Sequence, residues 1–224
     1  MSEVQPNERY SRQRDIVPPE RIADCKVTVI GVGAIGRQVA LQLSAMGIPW
    51  LQLVDHDKVE WSNLASQGYL EGDMGKLKVN ATLELCWRIN AATQIHAVPE
   101  RFRRSMEIGN IVFCCVDRID VRRLIWEAVK ERVNLYGVGR MSAEILRVLT
   151  ACDFESRKHY PTTLFNADEA FVGPCTAKTT IYCANIAAGL MIAQFTKYLR
   201  QLPVDCDIQL NLLANELNVA KICQ

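Results

Sequence analysis

The sequence predicts an α/β fold, a doubly wound and mainly parallel sheet that closes in antiparallel strands. Three observations predict it. Short apolar runs alternate with helix-patterned segments as far as Val138. The first run, Lys26 to Ile30, ends in a glycine-rich turn that opens a helical pattern. Beyond Val138 the alternation gives way to strand-like runs around one long apolar helical stretch.

Each element follows from local pattern. The turn Gly31-Val-Gly-Ala-Ile-Gly36 leads into a helix over Arg37 to Met46, with Val39, Leu41, Leu43 and Met46 spaced for packing and Gly47 as its stop. Trp50 to Val54 is a second strand and ends at Asp55. A polar loop holding Asn63 and Gln67 is expected to lead to a helix over about Lys76 to Ile89. Gln94 to Val98 and Ile111 to Val116 read as strands, followed by a helix over Asp120 to Arg132 and a strand over Val133 to Val138. Ile145 to Thr150 is a further strand. Residues 152 to 174 show no clear period and are expected to form a long loop, which at that length is usually functional. A helix is expected from Cys175 to Arg200, apolar on most faces and therefore buried. Ile208 to Leu213 and Glu216 to Ala220 complete the chain as antiparallel strands.

Composition narrows the function classes. Hydrophobic residues are 49% and charged residues 23% of 224 positions, which excludes disordered, collagen-like and coiled-coil chains. Twenty-six basic against twenty-five acidic residues leave a charge of +1, so nothing electrostatic favours a nucleic acid or a membrane surface. The first twenty residues are polar and resemble no signal peptide. The longest apolar run, Ile186 to Ala193, is far short of the ~20 residues that span a bilayer. The nine cysteines include no C-x-x-C pair, which argues against a disulfide framework and a zinc ribbon. Reduced thiols in a cytoplasmic protein are expected. His56, His96 and His159 are scattered and suggest no metal site.

The glycine turn carries the first chemistry. In a strand–turn–helix context Gly31 permits the tight turn, Gly33 lets a phosphate approach the backbone, and Gly36 allows close helix–strand packing, as in a Rossmann-like fold. The helix N-terminus favours an anion. Asp55 follows Gly36 by nineteen residues and ends the second strand, where an acid binds ribose hydroxyls. A dinucleotide and a nucleoside triphosphate both remain open at this point. Lys78, in Gly75-Lys-Leu-Lys78, and Asp117, past the strand Ile111 to Val116, argue for the triphosphate. A lysine answers phosphate charge and a carboxylate holds Mg²⁺, whereas hydride transfer needs room for nicotinamide there.

With these residues in hand the chain resembles the ThiF/MoeB and ubiquitin-activating superfamily of adenylating enzymes. The resemblance rests on Tyr10-Ser-Arg12-Gln13, Gly31 to Gly36, Asp55-x-Asp57-x-Val59, Ser62-Asn63-Leu64-x-x-Gln67, Gly75-x-x-Lys78 and Asp117, in the family's order. It continues more loosely to about residue 200. It implies ATP- and Mg²⁺-dependent adenylation of the C-terminal glycine of a ubiquitin-like protein. Asp55 would hold the ribose, Asp117 the magnesium, and Lys78 and Asn63 the phosphates or the adenylate. Asp57 would support the nucleotide and metal region, and Gln67 belongs to the same nucleotide-binding motif. Arg12 would reach the triphosphate of the partner subunit in a homodimer. The implied organisation is an N-terminal arm, residues 1–24, and one adenylation domain, residues 25–224, with 152–174 as the crossover under which the substrate tail threads. The family commonly has arginine where this chain has Ser66; either Arg12, Arg118 or Arg37 supplies that charge, or catalysis is weaker, or the substrate differs. Relatives with two C-x-x-C pairs bind structural zinc; none is expected here.

Cys175, in Gly173-Pro-Cys175-Thr-Ala-Lys178, is expected at a helix N-terminus beside a lysine, where a thiol pKa falls. It is the candidate nucleophile, and it resembles the cysteine that captures the acyl group as a thioester in ubiquitin-activating enzymes. Cys152 is a second candidate; Cys25, Cys86, Cys114, Cys115 and Cys183 are expected in the core, and Cys206 and Cys223 have no assigned place. By length the chain is closest to the minimal activating enzymes of bacterial ubiquitin-like systems, and a conjugating enzyme is an expected partner. The rival readings are adenylation without a thioester, serving sulfur transfer or a small substrate, an inactive binding half of an activator, and an NAD-dependent dehydrogenase.

Overall fold

The computed structural model describes residues 6–165 and 180–220. Two short helices, α1 (Pro6–Arg9) and α2 (Pro19–Ile22), precede the sheet. Then come β1 (Lys26–Ile30), α3 (Ala34–Met46), β2 (Trp50–Val54), α4 (Trp61–Gln67), a single 3₁₀ turn (Glu71–Asp73), α5 (Lys78–Ile89) and β3 (Gln94–Val98). The chain continues through β4 (Ile111–Cys114), α6 (Ile119–Val129), β5 (Leu135–Ser142), β6 (Ile145–Ala151), α7 (Phe154–Thr162), α8 (Ile181–Leu199), β7 (Asp207–Asn211) and β8 (Glu216–Val219).

All eight strands form one sheet in the order β3-β2-β1-β4-β5-β6-β7-β8. The first five are parallel; β5 to β8 pair antiparallel. The predicted fold class therefore holds. The chain moves outward from β1 to β2 and β3, then returns to place β4 on the other side of β1. That reversal opens a crevice at the carboxyl ends of β1 and β4, the place where open α/β sheets bind ligands.

Burial explains why these strands were legible. Val27 and Val29 of β1 and Leu51 and Leu53 of β2 are wholly buried and pack, in one apolar core, with Val39 and Leu43 of α3 and Ala184, Ala187 and Phe195 of α8. The second core contains Ile30, Val54 and Val112 with Trp126 of α6, Tyr136 of β5 and Tyr160 of α7, the last three rings within 5.2 Å of one another.

Three expectations are corrected. The segment holding Asn63 and Gln67 is a helix, α4, not a loop; Glu60 N donates to Asn63 Oδ1 at 3.0 Å at its start, and Gly68, with φ +73°, ends it. The stretch after Cys152 contains α7, begun by Asp153, whose carboxylate accepts from Ser156 N at 2.8 Å. The long helix starts at Ile181, with Thr180 in extended conformation as its cap, and not at Cys175. Cys175 lies outside the described residues, six positions before the first residue of α8.

Candidate active site

The glycine turn sits at the crevice because both neighbours hold it there. Gly31 N donates to Val54 O at 2.8 Å, and Cys115 N donates to Ile30 O at 2.8 Å, binding the turn between the ends of β2 and β4. Gly31 has φ +86°, and a Cβ there would lie 3.0 Å from the Cys115 carbonyl. A Cβ on Gly36 would lie 1.8 Å from Gly31 O, so the helix can approach the turn only with glycine at that place. Gly33 differs. A Cβ there would meet only the Gln67 side chain, at 3.7 Å, so its missing side chain leaves a cradle over the N-terminus of α3. That cradle and the free N–H groups of the first turn fit a phosphate.

Asp55 stands at the end of β2. Its Oδ2 accepts from Val32 N at 2.8 Å and its Oδ1 from Asp57 N at 2.9 Å, so it ties the glycine turn to the polar segment after β2. Each carboxylate oxygen has a further lone pair, enough for ribose hydroxyls. Asp57 and Lys78 are brought together by a feature that sequence pattern did not show. Lys58 and Leu77 form an isolated antiparallel bridge, and Lys78 N donates to Asp57 O at 2.9 Å. Lys78 Nζ then lies 3.2 Å from Asp57 Oδ2, with the lysine buried and the aspartate half exposed. A cation held at the edge of water by one carboxylate is suited to a second anion.

Asn63 is buried, its carbonyl oxygen spent on the start of α4 and its Nδ2 3.4 Å from Ser62 Oγ. Gln67 Oε1 is buried with no partner, beside Gly33. Asp117 is exposed in the bend between β4 and α6, two residues past the Cys115 backbone that abuts Gly31. It has no ion pair among the described residues. Asp55, His56 and Asp57 place donor atoms within 4.8 Å of one another. All three are engaged, His56 Nε2 accepting from Arg101 Nε at 3.2 Å.

Arg12 lies far from this crevice in its own chain. Tyr10 packs its ring on Gly47 and its hydroxyl accepts from Asn90 Nδ2 at 2.9 Å, while Gln13 Nε2 donates to Met46 O at 2.7 Å. These contacts fix the Tyr10-to-Gln13 motif at the C-terminal end of α3. Thirteen residues of helix, about 20 Å, separate that end from the glycine turn. Arg118 is exposed and bidentate to Asp120, at 3.1 and 2.5 Å. Arg37, the third of the arginines that could answer for Ser66, is fully buried beside the turn. Its guanidinium lies 4.5 Å from the Tyr69 ring centroid, and burial pulls its pKa down.

Cys175 and Lys178 lie outside the described residues, as does Cys223. Cys25, Cys86, Cys114 and Cys183 are buried, as expected, and so is Cys206; Cys115 is half-buried. Cys152 is a poor nucleophile: burial, then Asp153, pushes its thiol up to about 11.

Comparison with known proteins accords with this geometry. The ThiF family profile matches residues 10–219. The chain belongs to the ThiF family. Among curated ThiF relatives, mouse adenylyltransferase and sulfurtransferase MOCS3 is 34% identical over 133 residues, covering 54% of this chain and 28% of that protein. Adenylyltransferase and sulfurtransferase uba4 of Emericella nidulans is 32% identical over 151 residues, covering 62% and 30%. Ubiquitin-like modifier-activating enzyme 5 of Drosophila ananassae is 33% identical over 130 residues, covering 50% and 33%. The matches thus span about a third of those relatives' lengths. Among solved structures, PaaA superposes with a TM-score of 0.79 at 21% identity, over 99% of this chain and 76% of that one. Escherichia coli MccB with ATP gives 0.75 at 18%, over 96% and 72%. Both share the fold. No helix among the described residues is long and apolar enough to cross a membrane.

Proposed function

We propose that this ThiF-family chain is an ATP-dependent activating enzyme that adenylates the C-terminal glycine of a ubiquitin-like protein and captures it as a thioester on Cys175. The observation that carries the adenylation is the Gly33 cradle facing a crevice that also holds Asp55, Asp117 and the buried Lys78. That set answers a triphosphate, and its lysine and aspartate disfavour hydride transfer. Relatives named as adenylyltransferases and as a ubiquitin-like modifier-activating enzyme, and a like-folded protein bound to ATP, support the same reading.

In this reading Asp55 holds the ribose, the glycine turn and α3 N-terminus hold the phosphates, and Gln67 and Asn63 line the same pocket. Lys78, freed in part from Asp57, answers charge on the phosphate undergoing attack. Asp117 would hold Mg²⁺, with Asp57 close to the same region; the ion supplies charge neutralisation to the phosphate oxygens. A substrate carboxylate oxygen attacks the α-phosphorus, a P–O bond forms, and the bond to the leaving pyrophosphate breaks. In the second step the Cys175 thiolate attacks the acyl carbon, a C–S bond forms, and AMP leaves with the C–O electron pair. Arg12 acts in a second copy of the chain, since it cannot cross about 20 Å in its own. The arm 1–24 and the domain 25–224 are the corresponding units, with 152–174 over the substrate tail, a conjugating enzyme downstream and the cytoplasm as the setting.

The test is mass spectrometry of the chain with ATP and a glycine-ended ubiquitin-like protein. The expected product is an adduct removed by dithiothreitol and absent from Cys175→Ala. An adduct that persists in that variant refutes the assignment of Cys175. Adenylate formation with no adduct supports the alternative without a thioester.

A further inference from the structure

An arginine buried for structure alone spends its donors on carbonyls. Half-buried Arg157 does so on Lys130 O, Val133 O and Asn134 O, half-buried Arg140 on Thr163 although its Nε is unpartnered, and buried Arg122 on Gly139 O although its Nη1 is unpartnered. Arg37 does not. Its side chain is among the largest fully buried ones, yet Nε and Nη2 have no partner and no carboxylate pairs with it among the described residues. The near acid, Asp73, is committed to Leu70 N at 3.1 Å and Lys76 Nζ at 3.3 Å. A guanidinium without a counter-ion in low dielectric is costly, and a bound anion offsets that cost.

Its surroundings place that charge at the glycine turn. Arg37 is the fourth residue of α3, at the helix end whose dipole is positive. It lies over Tyr69, whose hydroxyl donates to Val32 O of the turn at 2.5 Å. A Cβ on Gly68 would be 3.8 Å from Arg37 Nη1, so the guanidinium also abuts the end of α4, next to Gln67 with its unpartnered buried Oε1. On α4, Ser66 carries no charge and bonds back to Ser62 O at 2.9 Å.

We propose that Arg37 is a positioning residue for the phosphates: it adds a fixed positive charge behind the α3 N-terminus and, through Tyr69, holds the turn that receives the polyphosphate. This rests on the nucleotide reading above. The ligand class is the phosphate chain of the nucleotide or the pyrophosphate it releases, and not the nucleoside.

The full chain is titrated calorimetrically with pyrophosphate, ATP and adenosine, as wild type, Arg37→Met and Arg37→Lys. A unit charge at about 10 Å and an effective dielectric of ~20 corresponds to a loss on the order of tenfold. The expected result is pyrophosphate and ATP binding about tenfold weaker in Arg37→Met, largely kept in Arg37→Lys, with adenosine unchanged. Should Arg37→Met fail to fold, Arg37→Gln replaces it, keeping a polar stem without charge. Unchanged pyrophosphate affinity in the uncharged variant, or equal loss for adenosine, overturns the proposal while leaving the nucleotide site in place. No binding of ATP or pyrophosphate by the wild type overturns the nucleotide reading itself.

Discussion

Gly33→Ala and Gly36→Ala separate binding from folding at one loop. At Gly36 the new methyl would stand 1.8 Å from Gly31 O, a backbone atom that cannot yield without moving β1 from α3. Overpacking of that severity costs about 3 kcal/mol or more, roughly 6–12 °C in melting temperature for a chain of this size. At Gly33 the backbone lies at φ −74° and ψ −146°, outside the main regions of an L-residue, but the methyl itself would meet only Gln67 at 3.7 Å. Its cost in stability is that backbone strain, about 1–2 kcal/mol, below the cost at Gly36. The methyl does occupy the space a phosphate needs to reach the N–H groups. Losing one or two charge-assisted hydrogen bonds, about 1.5–3 kcal/mol each, weakens ATP binding some ten- to a hundredfold or more. Thermal denaturation and calorimetry with ATP check both variants. A Gly33→Ala protein that binds ATP as the wild type does, or one that melts as low as Gly36→Ala, would refute the argument.

Three further outcomes are expected. Lys78→Met keeps the side chain's bulk and leaves a half-exposed Asp57 to water, so melting shifts by only a few degrees while ATP affinity drops at least tenfold; calorimetry and denaturation on one sample decide this. Asp207 is buried and would be raised by burial alone, but Arg147, at 2.8 and 2.5 Å, and His159, at 2.9 Å, hold its carboxyl below the usual range. The unfolded chain therefore takes up this proton first. The stabilisation is full above about pH 4 and is lost as pH falls through the depressed folded value. Asp207→Asn should cost about 2–3 kcal/mol at pH 7, with the gap to wild type closing in acid; a gap independent of pH contradicts the assignment. Arg12→Ala and Asp117→Ala should each be inactive alone and recover about a quarter of wild-type exchange activity when mixed as subunits of a two-fold dimer. No recovery after subunit exchange removes the action in trans.

Strands β1 and β2 were legible because each is a short, mostly apolar run stopped by glycine or an acid, and strands buried on both faces have that appearance. Helix α7 was not legible: only Ser156 and Tyr160 of its nine residues are buried, which leaves no apolar period. Its one cue was the pair Asp153 and Ser156, a capping box without the acidic third residue that usually marks one. Of the candidate site, the geometry of the glycine turn was legible at Gly31 and Gly36, and so was the place of Asp55 at the end of β2, because residue type alone sets them. The site was not legible where distant backbone contacts do the placing. The Lys58–Leu77 bridge that sets Lys78 against Asp57 has no local signature. Nor does the burial of Arg37, since an arginine one position past a glycine motif reads as a surface residue until α4, Tyr69 and α5 close over it.

The most direct test of adenylation is ATP–pyrophosphate exchange with a panel of glycine-ended ubiquitin-like proteins, wild type beside Asp117→Ala. The account predicts exchange with at least one partner, reduced at least a hundredfold in the variant. Absence of exchange with every partner, or exchange that survives loss of Asp117, would contradict it.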